Sequence, residues 1–338
     1  MAFVGIDAVV YGAKDITQAR RMFLDWGLKK RSDTRAGLVF ATELGAEVVV
    51  RPDGAAGLRP PIAEHSQFRE VIYGVSSRTH LAAIDRELSL DREVIRDKDG
   101  TLHSVDDSGV NIGFRVWRHG SEKPSGGTRW NGPGNRRRVN QTASRYTQAS
   151  PYKIGHIVFF VPDVRVAERF YRKRLGFFLS DRYAGGAASY LRWAGKSEHH
   201  NLFLTRSKTG KLDLNHVAFE VHDLHEVFGG GREFARRGWP VFVGPGRHPI
   251  SSAYFWYFKN PLGGNIEYFC DPDQVTEDWK PSNYRLNRFS EWHLVDGLKQ
   301  ADDGIVRSSL ASAKGIAAAL AAKEKTEKQN KPTPGKRA

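Results

Sequence analysis

The chain has 338 residues, 40% of them hydrophobic, a net charge of +14 and one cysteine. That length allows two or three domains with sizeable cores, and the lone Cys270 excludes both an intrachain disulfide framework and a cysteine-based zinc site. No run of about 18 apolar residues occurs, and the N-terminus lacks the basic-then-apolar pattern of a secretory signal; a cytoplasmic enzyme or binding protein, with no membrane partner, is therefore expected.

In chain order, residues 1–117 read as one globular domain. A strand-like run over residues 5–11 and an amphipathic helix over 16–26 open a first unit. A strand over 71–75 and a helix over 79–88 open a second. Residues 118–150, rich in Gly, Ser, Asn and Arg, read as a basic linker. Residues 151–300 form a second domain. Its opening strand, Ile154-Gly-His-Ile-Val-Phe-Phe-Val, leads into a helix over 164–174 and strands over 188–193 and 201–205. The pattern then restarts with a strand over 214–221 and a helix over 225–237, and strands follow at 241–243, 254–258 and 265–269. Residues 272–304 are aromatic and irregular, with Trp292-His293 placed to cover a pocket. Residues 301–338 form an Ala/Lys-rich tail, helical over 308–323 and then disordered.

The charge follows these boundaries. Residues 118–150 and 305–338 each carry a net +6, so the folded remainder is near neutral. Solvated basic arms, which also suit a homo-oligomer, are expected over a specific nucleic-acid site. A non-enzymatic protein binding acidic partners through these arms is the alternative from outside enzymology.

The βαβββ order occurs twice in the second domain and is started twice in the first. Four tandem units define an internal repeat, and the expected class is α+β with paired units curled into cups. Within the second cup, alternation puts His216 on the same face as Ala218 and Glu220. His156 opens the matching strand of the preceding unit, and Glu267 sits in the last strand. Two imidazoles and a carboxylate form the facial ligand set of non-haem Fe(II) oxygenases, which leaves positions open for a chelating substrate and O2. Ligand type alone equally suits Zn(II) or Mn(II).

The repeat and these residues resemble the vicinal oxygen chelate superfamily, and in particular its type I extradiol ring-cleavage dioxygenases. Their motif runs from Gly-x-His through a tyrosine to Asn/Asp-Pro-x-Gly and a ligand glutamate. Here it reads Gly246-Arg-His248, Tyr257, Asn260-Pro-Leu-Gly263 and Glu267, with Trp256 where that pattern has an aliphatic residue or Phe. By alternation Trp256 should face away from the site. The resemblance covers residues 3–271 and implies Fe(II), with Mn(II) the other metal, held by His156, His216 and Glu267. It implies a small aromatic diol and O2 as substrates, His200 of Glu198-His199-His200 as acid/base, and Tyr257 and His248 at the substrate oxygens. The product would be a yellow hydroxymuconic semialdehyde. Trp193, Phe203 and Arg247 are expected at the substrate, with Tyr190 and Arg192 near it. An isomerase, lyase or hydrolase of the same superfamily is the alternative; such enzymes generally lack the His200, His248 and Tyr257 set. Asp7 and Gly113 stand where ligands would be in the first domain, which is expected to be metal-free.

Overall fold

In the computed structural model, residues 2–121, 130–143, 145–285 and 289–294 are described; the tail from residue 301, with its expected helix, lies outside them. The chain builds two large sheets. In the second, the strand Lys153–Val161 lies between Leu202–Arg206, its parallel neighbour, and Asp213–Glu220, its antiparallel neighbour. Asp213–Glu220 is in turn parallel to Asn265–Cys270. Each unit therefore has the spatial strand order 2-3-4-1, and two units join through their first strands. The first sheet repeats this: Phe3–Ala13 runs parallel to Glu47–Pro52 and antiparallel to Phe68–Val75, which runs parallel to Asn111–Val116. The α+β architecture of four βαβββ units is the one expected from the sequence.

Local chemistry fixes the elements. The helices Ile16–Asp25 (α1), Arg78–Leu88 (α2), Val164–Lys173 (α3) and Leu224–Arg236 (α4) start on Asp15, Ser77, Asp163 and Asp223. Each of these side chains accepts a hydrogen bond from a first-turn N–H, a cap that contributes about 1 kcal/mol. The short strands Lys29–Thr34 and Phe178–Tyr183 carry no clear alternation and were not expected as elements. Both are held by the hairpins they form with the following strands.

Three consecutive glycines, Gly229 to Gly231, lie inside α4, each costing about 1 kcal/mol relative to alanine in a helix. Packing explains all three, a Cβ on Gly229 falling 2.7 Å from Tyr146 Cβ. A Cβ on Gly231 would stand 2.3 Å from the Trp256 ring, and one on Gly230 would stand 2.5 Å from Ala149 Cβ. Trp256 is thus fully buried under α4, on the face of its strand opposite Tyr257, as alternation requires. Ala149 closes the other side. The last residues of the linker are wedged between α1 and α4, with Gln148 Nε2 donating to Asp25 O and Ser150 N to Glu226 Oε1. Gly27, at φ +95°, leaves the room: a Cβ there would collide with the Ala149 carbonyl.

The two halves share one core. Trp26 stacks on Tyr268 with ring centroids 3.5 Å apart, and the Tyr268 hydroxyl donates to the Trp26 carbonyl at 2.6 Å. The Tyr171 hydroxyl of α3 donates to Asp106 of the first half at 2.9 Å.

Candidate metal centre and active site

Strand register assembles the site. His156 pairs with Ala218, Ala218 with Glu267, and Glu267 with Tyr257, so four adjacent strands present one row of positions. His216, two residues before Ala218, falls on the same face. A register shift at Gly155 turns His156 into the cup, and Gly155 is required there: a Cβ would lie 2.3 Å from the Phe269 ring. The outcome is a tight group. Glu267 Oε2 lies 3.2 Å from His156 Nε2 and 3.1 Å from His216 Nε2, and the two imidazole nitrogens are 3.3 Å apart. All three side chains are buried.

Hydrogen-bond bookkeeping shows what this group fits. His216 Nδ1 donates to Asn215 Oδ1 at 2.8 Å, which leaves its Nε2 lone pair facing the trio. Neither oxygen of Glu267 has a hydrogen-bond donor among the described residues, although the carboxylate is 1% exposed. A buried carboxylate facing imidazole lone pairs is strongly unfavourable unless a cation joins it. The trio therefore fits a divalent metal with two nitrogen ligands and one oxygen ligand.

Electrostatics agree. Burial alone would raise Glu267, but positive charge on the imidazoles of His156, His216 and His248 outweighs it and holds the carboxyl well below its usual range, the role that falls to a metal once the imidazoles are neutral. Burial lowers His216 against the pull of Glu267. Both groups thus stand in the deprotonated form a metal requires.

The neighbouring protic groups are also oriented. His199 Nε2 donates to the buried Asp181 at 2.8 Å, so its Nδ1 accepts from His200 Nδ1 at 3.2 Å. That leaves the His200 Nε2 lone pair free. The His200 ring lies 4.4 Å from that of His156. Burial, with His156 and His199 adding to it, keeps His200 well below its ordinary value and hence neutral. On the other side, His248 Nδ1 donates to the Phe289 carbonyl at 2.6 Å, and its Nε2 accepts from the Tyr257 hydroxyl at 3.1 Å. Burial and the nearby Glu267 push Tyr257 well above the phenol range, so it stays protonated.

A cavity of about 330 Å³ opens over this floor. Tyr190 and Phe203 stack along one wall at 4.1 Å and 9°, with Tyr183 beyond them, while Ile250, Phe242 and Phe289 stand among its other lining residues. Phe203, His200, His248 and Tyr257 line it, whereas Trp193 and Arg247 do not. Trp193 lines a separate cavity between the two halves, beside Trp117 and Lys153. Arg247 is turned to Glu291, at 3.0 Å, and to the Ser252 carbonyl. Arg192 is buried against the carbonyls of Leu179 and Thr276. Trp292 and His293 pair with the strand Val241–Arg247, and Phe289, just before them, reaches the cavity. Asp181 and Tyr183 escape a reading of the sequence because they lie on the unexpected strand Phe178–Tyr183.

Paired βαβββ cups around a two-histidine, one-glutamate floor are the vicinal oxygen chelate fold. Residues 153–275 match the family model of the Glyoxalase/Bleomycin resistance protein/Dioxygenase superfamily. Metapyrocatechase 2 of Cupriavidus necator is 34% identical over 132 residues, 39% of this chain and 40% of that protein. An iron-dependent extradiol dioxygenase of Rhodococcus jostii is 29% identical over 37% of this chain and 45% of its own length. The chain thus aligns with less than half the length of these relatives. The Mn(II)-bound glyoxalase from Novosphingobium aromaticivorans shares the fold at a TM-score of 0.69 and 20% identity, over 88% of this chain and 92% of that one. Among the described residues no helix is long and apolar enough to cross a membrane.

Proposed function

We propose that the chain is an Fe(II)-dependent extradiol dioxygenase that opens the ring of a catechol with O2. The carrying observation is the junction of a buried His156–His216–Glu267 trio with three further protic groups, His200, His248 and Tyr257, on one cavity floor. The names of the C. necator and R. jostii relatives support the reading, and the second supports iron; Mn(II) is the alternative metal, as in the N. aromaticivorans glyoxalase.

Held by His156, His216 and Glu267, iron would supply adjacent positions for the diol oxygens and O2 and a path for electron density between them. The chain's own residues do the remainder. His200, neutral and with Nε2 free, takes a proton from the diol and later returns it to the oxygen that accumulates charge. Tyr257, whose proton is engaged by His248 Nε2, offers its hydroxyl oxygen to the second diol hydroxyl, and His248, anchored to the Phe289 carbonyl, sets that direction. The aromatic walls stack the ring and exclude water. The ring opens beside the two hydroxyls, both atoms of O2 enter the product, and a yellow semialdehyde results.

The test is oxygen uptake by anaerobically Fe(II)-loaded protein with a panel of catechols. Uptake with yellow colour is expected. Protein carrying one iron per chain and consuming no O2 with any catechol would move the function to another reaction of the superfamily. Assembly into a homo-oligomer belongs to the same proposal and is tested by light scattering of the full chain against its monomer mass of 37.9 kDa.

A further inference from the structure

The cavity is chemically polarised. Its metal ligands and protic groups sit at the floor, and its walls are mostly aromatic and aliphatic. Away from the floor, its ionic lining residues are Arg206 and Lys208. Both are exposed, and no carboxylate lines the cavity beside them. Among the described residues neither forms an ion pair with an acid; Asp163, the cap of α3, lies near enough to Arg206 for that charge to help lower its pKa.

The order along the strand Leu202–Arg206 sets the distances. His200 precedes it at the floor, Phe203 lies in the wall stack, and Thr205 and Arg206 end it at the rim. At ~3.3 Å per residue, Arg206 is roughly 10 Å further along than Phe203; alternation puts it on the other face from Phe203 and Thr205, and it reaches the cavity as the last residue of the strand, at the edge. A diol ring with its oxygens at the floor lies against Phe203 and Tyr190. Only a substituent running further up the cavity meets the two cations.

We propose that Arg206 and Lys208 form a subsite for the anionic end of an elongated aromatic diol: a catechol whose substituent, a chain or second ring, ends in a carboxylate. The subsite rests on the catechol reading of the floor and adds the class of diol that it takes. The apolar middle of the cavity matches the body of such a substituent. The two cations match its charge, and their long side chains leave the rim adjustable.

The experiment is anaerobic titration calorimetry on the full-length, iron-loaded protein. The probes are unsubstituted catechol, a catechol bearing a carboxyphenyl ring, and the methyl ester of that acid. A hydrogen bond to a charged group is worth about tenfold or more in affinity. The acid should bind at least about tenfold tighter than its ester, less so at high salt. An Arg206→Gln/Lys208→Gln double variant should erase that preference and leave catechol binding within about twofold. Both residues are exposed, so its melting temperature should match that of the unaltered chain.

Equal binding of acid and ester, or a preference that survives in the double variant, overturns the subsite; continued oxygen uptake with catechol would then leave the ring-cleavage reading in place. Absence of uptake with every diol removes the ring-cleavage reading. The acid-to-ester ratio, being an equilibrium quantity, still decides the subsite.

Discussion

The two cups have the same topology and opposite fates. Strand register makes their positions equivalent: Ala8 corresponds to His156, Glu70 to His216, Gly113 to Glu267 and His103 to Tyr257. In the first cup, Glu70 and His103 satisfy each other at 2.8 Å, with Asp97 at the second imidazole nitrogen. At Gly113 a Cβ would stand 3.0 Å from Ile72 and 3.2 Å from Glu70 Oε1, so a ligand side chain there would crowd both. Asp7, which the sequence suggests as the counterpart of the strand histidine, is one residue away. It lies in a register shift, buried against Arg115. The backbone thus supplies a place for three ligands in both halves. The side chains decide between an internally paired, filled cup and one whose carboxylate waits for a cation.

The largest expected effect breaks the second cup. His156→Ala or Glu267→Ala should lower metal affinity by more than the ~10–100-fold typical of losing a partner behind a ligand, read as metal per chain after dialysis. Full occupancy in either variant would remove the assignment. In the metal-free protein, at a pH where His156, His216 and His248 are neutral, Glu267→Gln should raise the melting temperature, since it removes a buried carboxylate that lacks a donor. Next comes Asp181, which fixes the His199 and His200 tautomers. Asp181→Asn should lower kcat by about 10- to 100-fold with little change in catechol KM and unchanged iron content. A loss confined to iron content or to melting temperature would make Asp181 a packing residue only.

The strong periodic runs were legible in the sequence: four helices, four first strands and the histidines on two of them. His156, His216 and Glu267 were legible jointly because an internal repeat gives each its strand. Two kinds of position were not. Asp181 and Tyr183 lie on a strand whose place is set by tertiary pairing, without an alternating pattern of its own. Trp193 and Arg247 lie next to site residues in sequence, but local geometry turns them elsewhere. A register shift within Val241–Arg247 and the Glu291 carboxylate draw Arg247 outward. Proximity in sequence does not specify direction once bulges interrupt the period of two.

Rebuilding a ligand in the first cup sharpens the comparison from the other side. Gly113→Glu should add no metal binding, because Glu70 and His103 are already paired and, among the described residues, the first cup holds no group of three potential ligands. It should destabilise the chain by about 3 kcal/mol through overpacking against Ile72 and an unpaired charge beside Glu70. Urea unfolding would show the loss. A second equivalent of bound metal would mean that the first cup is only one residue from function.

The smallest effect concerns the seam between the halves. Asp106 accepts from Ser108 N and Val110 N in its own turn and from Tyr171 across the seam. Burial outweighs these donors and raises its pKa to about 6, against ~3.9 in an unfolded chain. Between these values the folded chain binds more protons than the unfolded one, so stability falls as pH rises from 4 through 6. The cost should be about 2–3 kcal/mol, roughly two pKa units at ~1.4 kcal/mol each. Asp106→Asn keeps an oxygen for the two backbone donors and offers its amide to Tyr171, so it should remove this pH dependence. The difference in unfolding free energy between the two proteins, measured at pH 4.5 and at pH 7.5, isolates the group from every other carboxylate. A difference that does not change with pH would mean that Asp106 is ionised across the seam, with Tyr171 and the turn sufficient to hold its charge.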